Sequence, residues 1–210
     1  MKTYPVSLIG LAQRHVVVVG GGAVAARKVT ALLEAGARVT VISPDLSPGL
    51  VALVETGQIA AFRRPYRDGD LEMAFLVIAA TDDVETNQAV WREADRRGCL
   101  INVVDDPSHS NFIVPAVVRR GEVTVAISTG GDSPALARRL RERLEAEIGP
   151  EYGELAALLG ELRPDLLARF ARGSARLAAA LRLVDSDLVD VIRTEGIEAA
   201  RRHAWELLEG

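Results

Sequence analysis

The stretch that most limits the fold is "HVVVVGGGAVAARK", His15 to Lys28. Its unbroken valines have no polar alternation, so a strand built from them has to be covered on both faces. Glycines follow at once, and then Ala25, Val29, Leu32 and Leu33 recur at helical spacing as far as Gly36, which suits a helix end. A strand, a glycine turn and a helix in immediate succession predict the first unit of a parallel sheet wrapped by helices.

The next residues repeat the rhythm. "RVTVI" (38–42) is a second strand, and "SPGLVALVETG" a helix with Ser47 as N-cap, Pro48 in its first position and Gly57 as its stop. "QIAAF" (58–62) and "FLVIAAT" (75–81) supply two more strands. Asp82 or Asp83 can cap a helix running to Arg97, with the N-cap the favoured role for Asp82, and "CLINVV" (99–104) is the fifth strand. Alternation of this kind predicts a Rossmann-type α/β fold, a parallel sheet with right-handed crossovers.

Beyond Asp105 the pattern changes. "FIVPAVVRRGEVTVAIST" reads as an antiparallel hairpin turning near Arg120–Glu122, and Ser133 with Pro134 opens a helix. From Glu151 onward only helical patterns remain, broken at Pro164, at "RGS" (172–174) and at Gly196. The expected division is a nucleotide-binding unit over 1–112, a hairpin-and-helix region over 113–148 and a helical domain over 149–210.

Composition narrows the function. Of 210 residues, 49% are hydrophobic and 26% charged, a globular balance. The net charge of −4 argues against a general affinity for nucleic acid. Cys99 is the lone cysteine, so no intramolecular disulfide or CxxC metal site can form, and it reads as a small core residue. Gln13, Arg14 and His15 interrupt the apolar N-terminal stretch, unlike a signal peptide, and no run is long enough to cross a bilayer. A cytoplasmic protein is the expectation.

Gly20, Gly22 and Ala25 form G-x-G-x-x-A between the first strand and the first helix. In this pattern the first glycine permits the turn, the second lets a pyrophosphate approach the backbone, and the small third residue lets helix and strand pack closely. Past the second strand the ordinary ribose position holds Ser43, and Asp45 comes slightly later. That carboxylate would repel a 2′-phosphate and so favours NAD over NADP; it can equally open the next loop. Arg27 and Lys28 fit either a phosphate or a solvated helix face. Thr81, at the end of the fourth strand, can line the nicotinamide half of the cofactor. Asp105 and Asp106 stop the fifth strand on the same sheet edge as the glycine loop, where a carboxylate can serve chemistry or a turn.

Four blocks in order, "GGGAVAARKVTALLEAGARVTVISP", "IAATDD" followed by Asn87, "NVVDDPSHSNFIVPA" and "VAISTGGDSPALARRLRERLE", resemble the precorrin-2 dehydrogenase family, including the dehydrogenase/ferrochelatase part of siroheme synthases. The likeness covers the first 150 residues strongly and the helical tail loosely. It implies a homodimer in which a Rossmann domain joins a dimerisation region and a helical domain. The implied reaction is NAD-dependent oxidation of precorrin-2 to sirohydrochlorin, on the way to siroheme or cobalamin. By the same resemblance Asp105 is the acid–base group, and Asp106, outside the match, is a turn residue. Ala23, Val24, Pro44 and Asp45 correspond to NAD contacts, and Ser128 falls near the family's active site.

The implied chemistry suits these residues. NAD⁺ accepts a hydride and a positioned carboxylate accepts a proton. The polycarboxylate substrate needs cationic or N–H partners. Arg119, Arg120, Arg138, Arg139, Arg141 and Arg143 concentrate charge near the hairpin, although interleaved Glu142 and Glu145 also describe an exposed helix face. "STGGDSP", with Ser128, Gly130 and Gly131, can form a backbone anion nest or a flexible turn. Some relatives also insert Fe²⁺; the candidate bases for that step are Asp105 and His109, and no metal-ligand cluster is expected. Two rivals are another NAD-dependent oxidoreductase and a regulatory module that binds NAD without chemistry.

Overall fold

The computed structural model describes residues 3–209. The chain forms two compact units, the first ending at Val114 and the second starting at Pro115. In the first, β1 (His15–Val19), β2 (Arg38–Ile42), β3 (Ala60–Phe62), β4 (Leu76–Ala79) and β5 (Leu100–Val103) make one parallel sheet. Its order is β3-β2-β1-β4-β5, so the chain reverses direction across the sheet between β1 and β4. Helices α1 (Ala23–Glu34), α2 (Pro48–Glu55) and α3 (Val84–Arg97) complete the unit.

The valine run has the two-sided burial its sequence demands. Val16 and Val18 join Ala25 and Val29 of α1 and Leu50 of α2 in one core. Val17 and Val19 join Val90 and Ala94 of α3 in the other. Successive strand side chains point to opposite faces, so four apolar residues in a row serve both layers. Cys99 is buried in the second core, and its thiol donates to the Ala74 carbonyl.

One carboxylate is buried outright. Glu93 on α3 is fully inaccessible. It accepts from the Tyr66 hydroxyl, from the Gly69 amide at 3.0 Å, the Leu71 amide at 3.4 Å and the Arg97 Nε at 2.7 Å. Charge is tolerated there because the carboxylate is so fully bonded. The result fastens the β3–β4 connection to α3.

In the second unit, β6 (Ala116–Arg120) and β7 (Val123–Ile127) form the antiparallel hairpin, followed by α4 (Pro134–Glu147). Ser133 caps α4 by accepting from the Leu136 amide at 3.3 Å. Four helices follow: α5 (Glu151–Arg169), α6 (Ser174–Val184), α7 (Leu188–Glu195) and α8 (Ile197–Glu209). Their core includes Leu155, Leu158, Leu162, Leu183, Leu188 and Ala204. No helix among the described residues is long and apolar enough to cross a membrane.

Three local expectations need correction. Pro164 does not end a helix, because α5 runs through it with Leu162 and Leu166 buried on either side. A proline there removes one helical hydrogen bond, and the burial of both flanking leucines in the helical core outweighs that loss. Asp83, not Asp82, caps α3, accepting from the Glu85 and Thr86 amides. Ser47 occupies the N-cap of α2 without a side-chain cap bond, and its buried hydroxyl has no partner.

Candidate active site

The glycine loop is shaped by what surrounds it. Gly20 has φ +122°, and a Cβ there would stand 2.2 Å from the Ala80 carbonyl oxygen. Gly21, which the motif leaves unspecified, is as constrained, since its Cβ would meet the Asp45 carbonyl oxygen at 1.9 Å. The Gly21 carbonyl accepts from the Ser47 amide at 2.8 Å, so the loop after β2 is laced to the glycine turn. Gly22 is different, because nothing lies within 4 Å of its would-be Cβ. It is the N-cap of α1 and offers no side-chain cap, which leaves the first-turn amides, Ala23 and Val24 among them, open to an outside acceptor. Ala25 is fully buried, in close contact with the β1 core. An open N-terminus beside a side-chain-free space fits a pyrophosphate. Pro44 and Asp45 are exposed beyond the end of β2.

A cavity of about 310 Å³ opens beyond β4 and β5. Thr81, Asp82, Asn87 and Gln88 line one side, and Asp105, Asp106 and His109 the other. Thr81 is fixed by Asn87, whose Nδ2 donates to the Thr81 carbonyl at 2.9 Å and whose Oδ1 lies 3.0 Å from the Thr81 hydroxyl. Gly20 touches the neighbouring residue, Ala80, so the glycine turn abuts the chain that forms this wall.

Asp105 lies two residues past β5 with φ +60°, alone among the described non-glycine residues in having positive φ. Aspartate tolerates that region better than most residues, at a cost of about 1 kcal/mol. The segment behind it is held against the free edge of β5. The Asn111 side chain accepts from the Ile101 amide at 2.8 Å and donates to the Cys99 carbonyl at 2.8 Å. The Ser110 hydroxyl accepts from the Val103 amide at 2.9 Å. These bonds satisfy an edge that would otherwise be bare and so brace the Asp105 turn.

Asp106 is a turn residue, as expected: it caps the short 3₁₀ turn Pro107–His109, accepting from the Ser108 and His109 amides. Side-chain bonds, first from the Ser108 hydroxyl and then from the His109 ring, hold its carboxyl below the usual range. Its Oδ2 also lies 2.6 Å from His109 Nδ1, a pairing the sequence reading did not anticipate. Its only signal is the Asp-Pro-x-His spacing. Lys28 on α1 is half-buried; burial pushes its ammonium down, Arg27 does so further, and the charge of Asp105 opposes both.

In the second unit, the Ser128–Asp132 turn is ordered from within. Ser128 Oγ accepts from the Gly130 amide at 3.1 Å, and Thr129 Oγ1 accepts from the Ser133 amide at 3.1 Å. Gly130 and Gly131 both have positive φ. Arg120 is engaged: its Nε donates to the Ile148 carbonyl at 2.9 Å and its Nη2 to the Glu145 carbonyl at 2.9 Å, capping the end of α4. Arg138 and Arg139 pair with Glu142, and Arg141 with Glu145, as the exposed-face alternative expects. Among the described residues no group of three or more His, Cys, Asp or Glu could hold a metal ion.

Known proteins fit this anatomy. Residues 8–116 match a family described as NAD(P)-binding, and residues 120–147 the central region of sirohaem biosynthesis proteins. The chain is 43% identical over 210 residues to a siroheme synthase of Methylobacillus flagellatus, covering 98% of this chain and 44% of that protein. It is 41% identical to one of Thioalkalivibrio sulfidiphilus, covering 100% of this chain and 42% of that protein. It thus spans less than half the length of these curated relatives. A solved structure of SirC, precorrin-2 dehydrogenase, aligns with a TM-score of 0.75 at 30% identity, covering 99% of each chain.

Proposed function

The chain belongs to the siroheme synthase family, in the part that corresponds to precorrin-2 dehydrogenase, and on that premise we propose that it oxidises precorrin-2 to sirohydrochlorin with NAD. When bound, the nicotinamide supplies the hydride acceptor. Everything else falls to the chain. The Gly20 turn and the space at Gly22 admit the pyrophosphate to the Ala23 and Val24 amides. Pro44 and Asp45 meet the adenosine ribose, where the Asp45 charge selects against a 2′-phosphate. Thr81, fixed by Asn87, borders the nicotinamide half.

Asp105 takes the proton that the macrocycle loses. The observation that carries this is the address of its carboxylate: a braced left-handed turn, at a cavity, on the carboxyl edge of the sheet that also holds the glycine loop. Strained backbone of this kind concentrates at functional sites. The substrate's carboxylates meet the Ser128–Gly131 turn at the N–H groups of Ser128 and Gly131, while the Gly130 amide holds the turn by donating to Ser128 Oγ. Arg120 was a further candidate for that role, but its donors are spent on α4, which favours a structural part.

The same reading covers a homodimer joined through residues 113–148, with 149–210 as a helical domain, acting in the cytoplasm. Fe²⁺ is a second substrate, and Asp105 and His109 accept the pyrrole protons displaced on its insertion. Anaerobic protein mixed with precorrin-2 and either NAD⁺ or NADP⁺ tests the proposal. NADH absorbance should rise with NAD⁺ and far less with NADP⁺, and added Fe²⁺ should then give the siroheme spectrum. NAD⁺ binding without NADH formation would contradict the dehydrogenase assignment.

A further inference from the structure

Asp106 does more than turn the chain. Its Oδ2 lies 2.6 Å from His109 Nδ1, while its Oδ1 accepts from the Ser108 amide at 3.1 Å and the His109 amide at 3.3 Å. The imidazole is also held edge-on by Trp91 of α3, with ring centroids 4.5 Å apart at 72°. A carboxylate at Nδ1 selects the tautomer that carries its proton there and leaves a lone pair on Nε2. Both residues line the cavity that Asp105 lines.

We propose that Asp106 and His109 form a second acid–base unit in this cavity, which draws off the proton that Asp105 takes from the substrate. The inference rests on the dehydrogenase reading above. In the balanced step, one C–H bond of the macrocycle breaks with its electron pair going to NAD⁺. A second bond to hydrogen breaks with its pair retained in the ring, and that proton goes to the Asp105 carboxylate. The Asp105 O–H bond then breaks as an N–H bond forms at His109 Nε2, and the imidazolium releases its proton to solvent.

A carboxylic acid is ordinarily a stronger acid than an imidazolium, so a carboxyl that has taken up a proton passes it to a neighbouring imidazole and is restored as a base. An acid–base group is most effective when it titrates near the working pH. Besides His109, the charged residues lining the cavity are Asp82, Asp105 and Asp106; Lys28 of α1 is within electrostatic reach of Asp105, and α3 contributes the neutral Asn87 and Gln88, with Trp91 against the imidazole.

The test begins with the protein free of cofactor. The chain has three histidines, His15, His109 and His203, so ¹⁵N imidazole resonances can be assigned with single variants. His109 should show the Nδ1–H tautomer. Asp106→Asn, which keeps a capping oxygen, should weaken that preference and raise the share of the Nε2–H form. In turnover, His109→Gln should cut kcat by on the order of tenfold and remove the acid limb attributable to His109 from the pH profile, with NAD⁺ affinity intact and added imidazole restoring the rate. A merely structural histidine would show neither rescue nor a changed limb. An Nε2–H tautomer overturns the proposal, as does an H109Q protein that makes NADH at the wild-type rate and pH profile; in that case the dehydrogenase reading survives. Wild-type protein that makes no NADH from precorrin-2 overturns both.

Discussion

Gly20 and Ala80 meet backbone to backbone: a Cβ on Gly20 would stand 2.2 Å from the Ala80 carbonyl oxygen. This contact brings the glycine turn against the chain leaving β4, next to Thr81. Gly20→Ala therefore has two faults, a φ of +122° and a clash with rigid backbone. We expect a loss of at least about 2 kcal/mol in urea unfolding of the first unit.

Gly22→Ala should behave in the opposite way. Its φ of −79° suits alanine, and the added methyl would enter open space. Stability should change by less than about 0.5 kcal/mol. Affinity for NAD⁺, measured by calorimetry, should fall about tenfold, ~1.4 kcal/mol, because the methyl occupies the pyrophosphate approach. Unchanged affinity would remove the pyrophosphate from this loop.

Glu93→Ala would leave the Tyr66 hydroxyl, two loop amides and the Arg97 guanidinium without their shared acceptor. A loss of about 3 kcal/mol is expected in denaturant unfolding. Proteolysis should open the chain between β3 and β4 first. The Tyr66 phenol, now pushed up by burial and then by its bond to Glu93, should titrate closer to its ordinary value.

Arg120→Met separates the structural role from substrate binding. Removing two bonds from a guanidinium to the last carbonyls of α4 should cost about 2 kcal/mol of stability. KM for precorrin-2 should stay within about twofold in the folded fraction. A large KM rise without destabilisation would return Arg120 to the substrate site.

The helical unit should weaken as pH rises. His203 is held above its ordinary value of 6.5 by its hydrogen bond to Asp187, which outweighs the opposing effect of burial, with Glu206 adding to the rise. A raised folded value means this stability is complete below 6.5 and is lost as pH climbs through the folded value. The pair is largely exposed, so the change is small and should shrink in high salt. Asp187→Asn should flatten the thermal stability profile from pH 6.5 upward.

Much of this was legible in residue order. "HVVVV" had to be a strand covered twice, and Val16 to Val19 divide between two cores. Ser133 signalled a helix start through a side chain whose oxygen reaches a free amide, whereas at α3 the favoured cap, Asp82, gave way to its neighbour Asp83. Pro164 misled because tertiary packing outweighed a local preference: buried leucines lie on both sides of it. The break between α6 and α7 carried no glycine or proline to mark it. There Ser186 instead donates to the Leu183 carbonyl at 2.8 Å.

The candidate site was legible in part. The strand-end position of Asp105 followed from the alternation of strands and helices, but its left-handed backbone did not. Nothing local announces that Asn111 and Ser110 will fold back along β5 and brace it. Gly21 was hidden for a related reason, since its constraint comes from the Asp45 carbonyl on a different loop. Asp106 was read as a turn residue and is one; its second bond, to His109, needed coordinates.

The most direct test is turnover by Asp105→Asn. Asparagine also accepts left-handed backbone, so the turn should hold and NAD⁺ should bind as before. With anaerobic precorrin-2 and NAD⁺, the wild type should form NADH and the variant should do so about 10²–10⁴-fold more slowly. A folded, NAD-binding D105N protein that turns over at the wild-type rate would contradict the account, because the proton would then be leaving by another group.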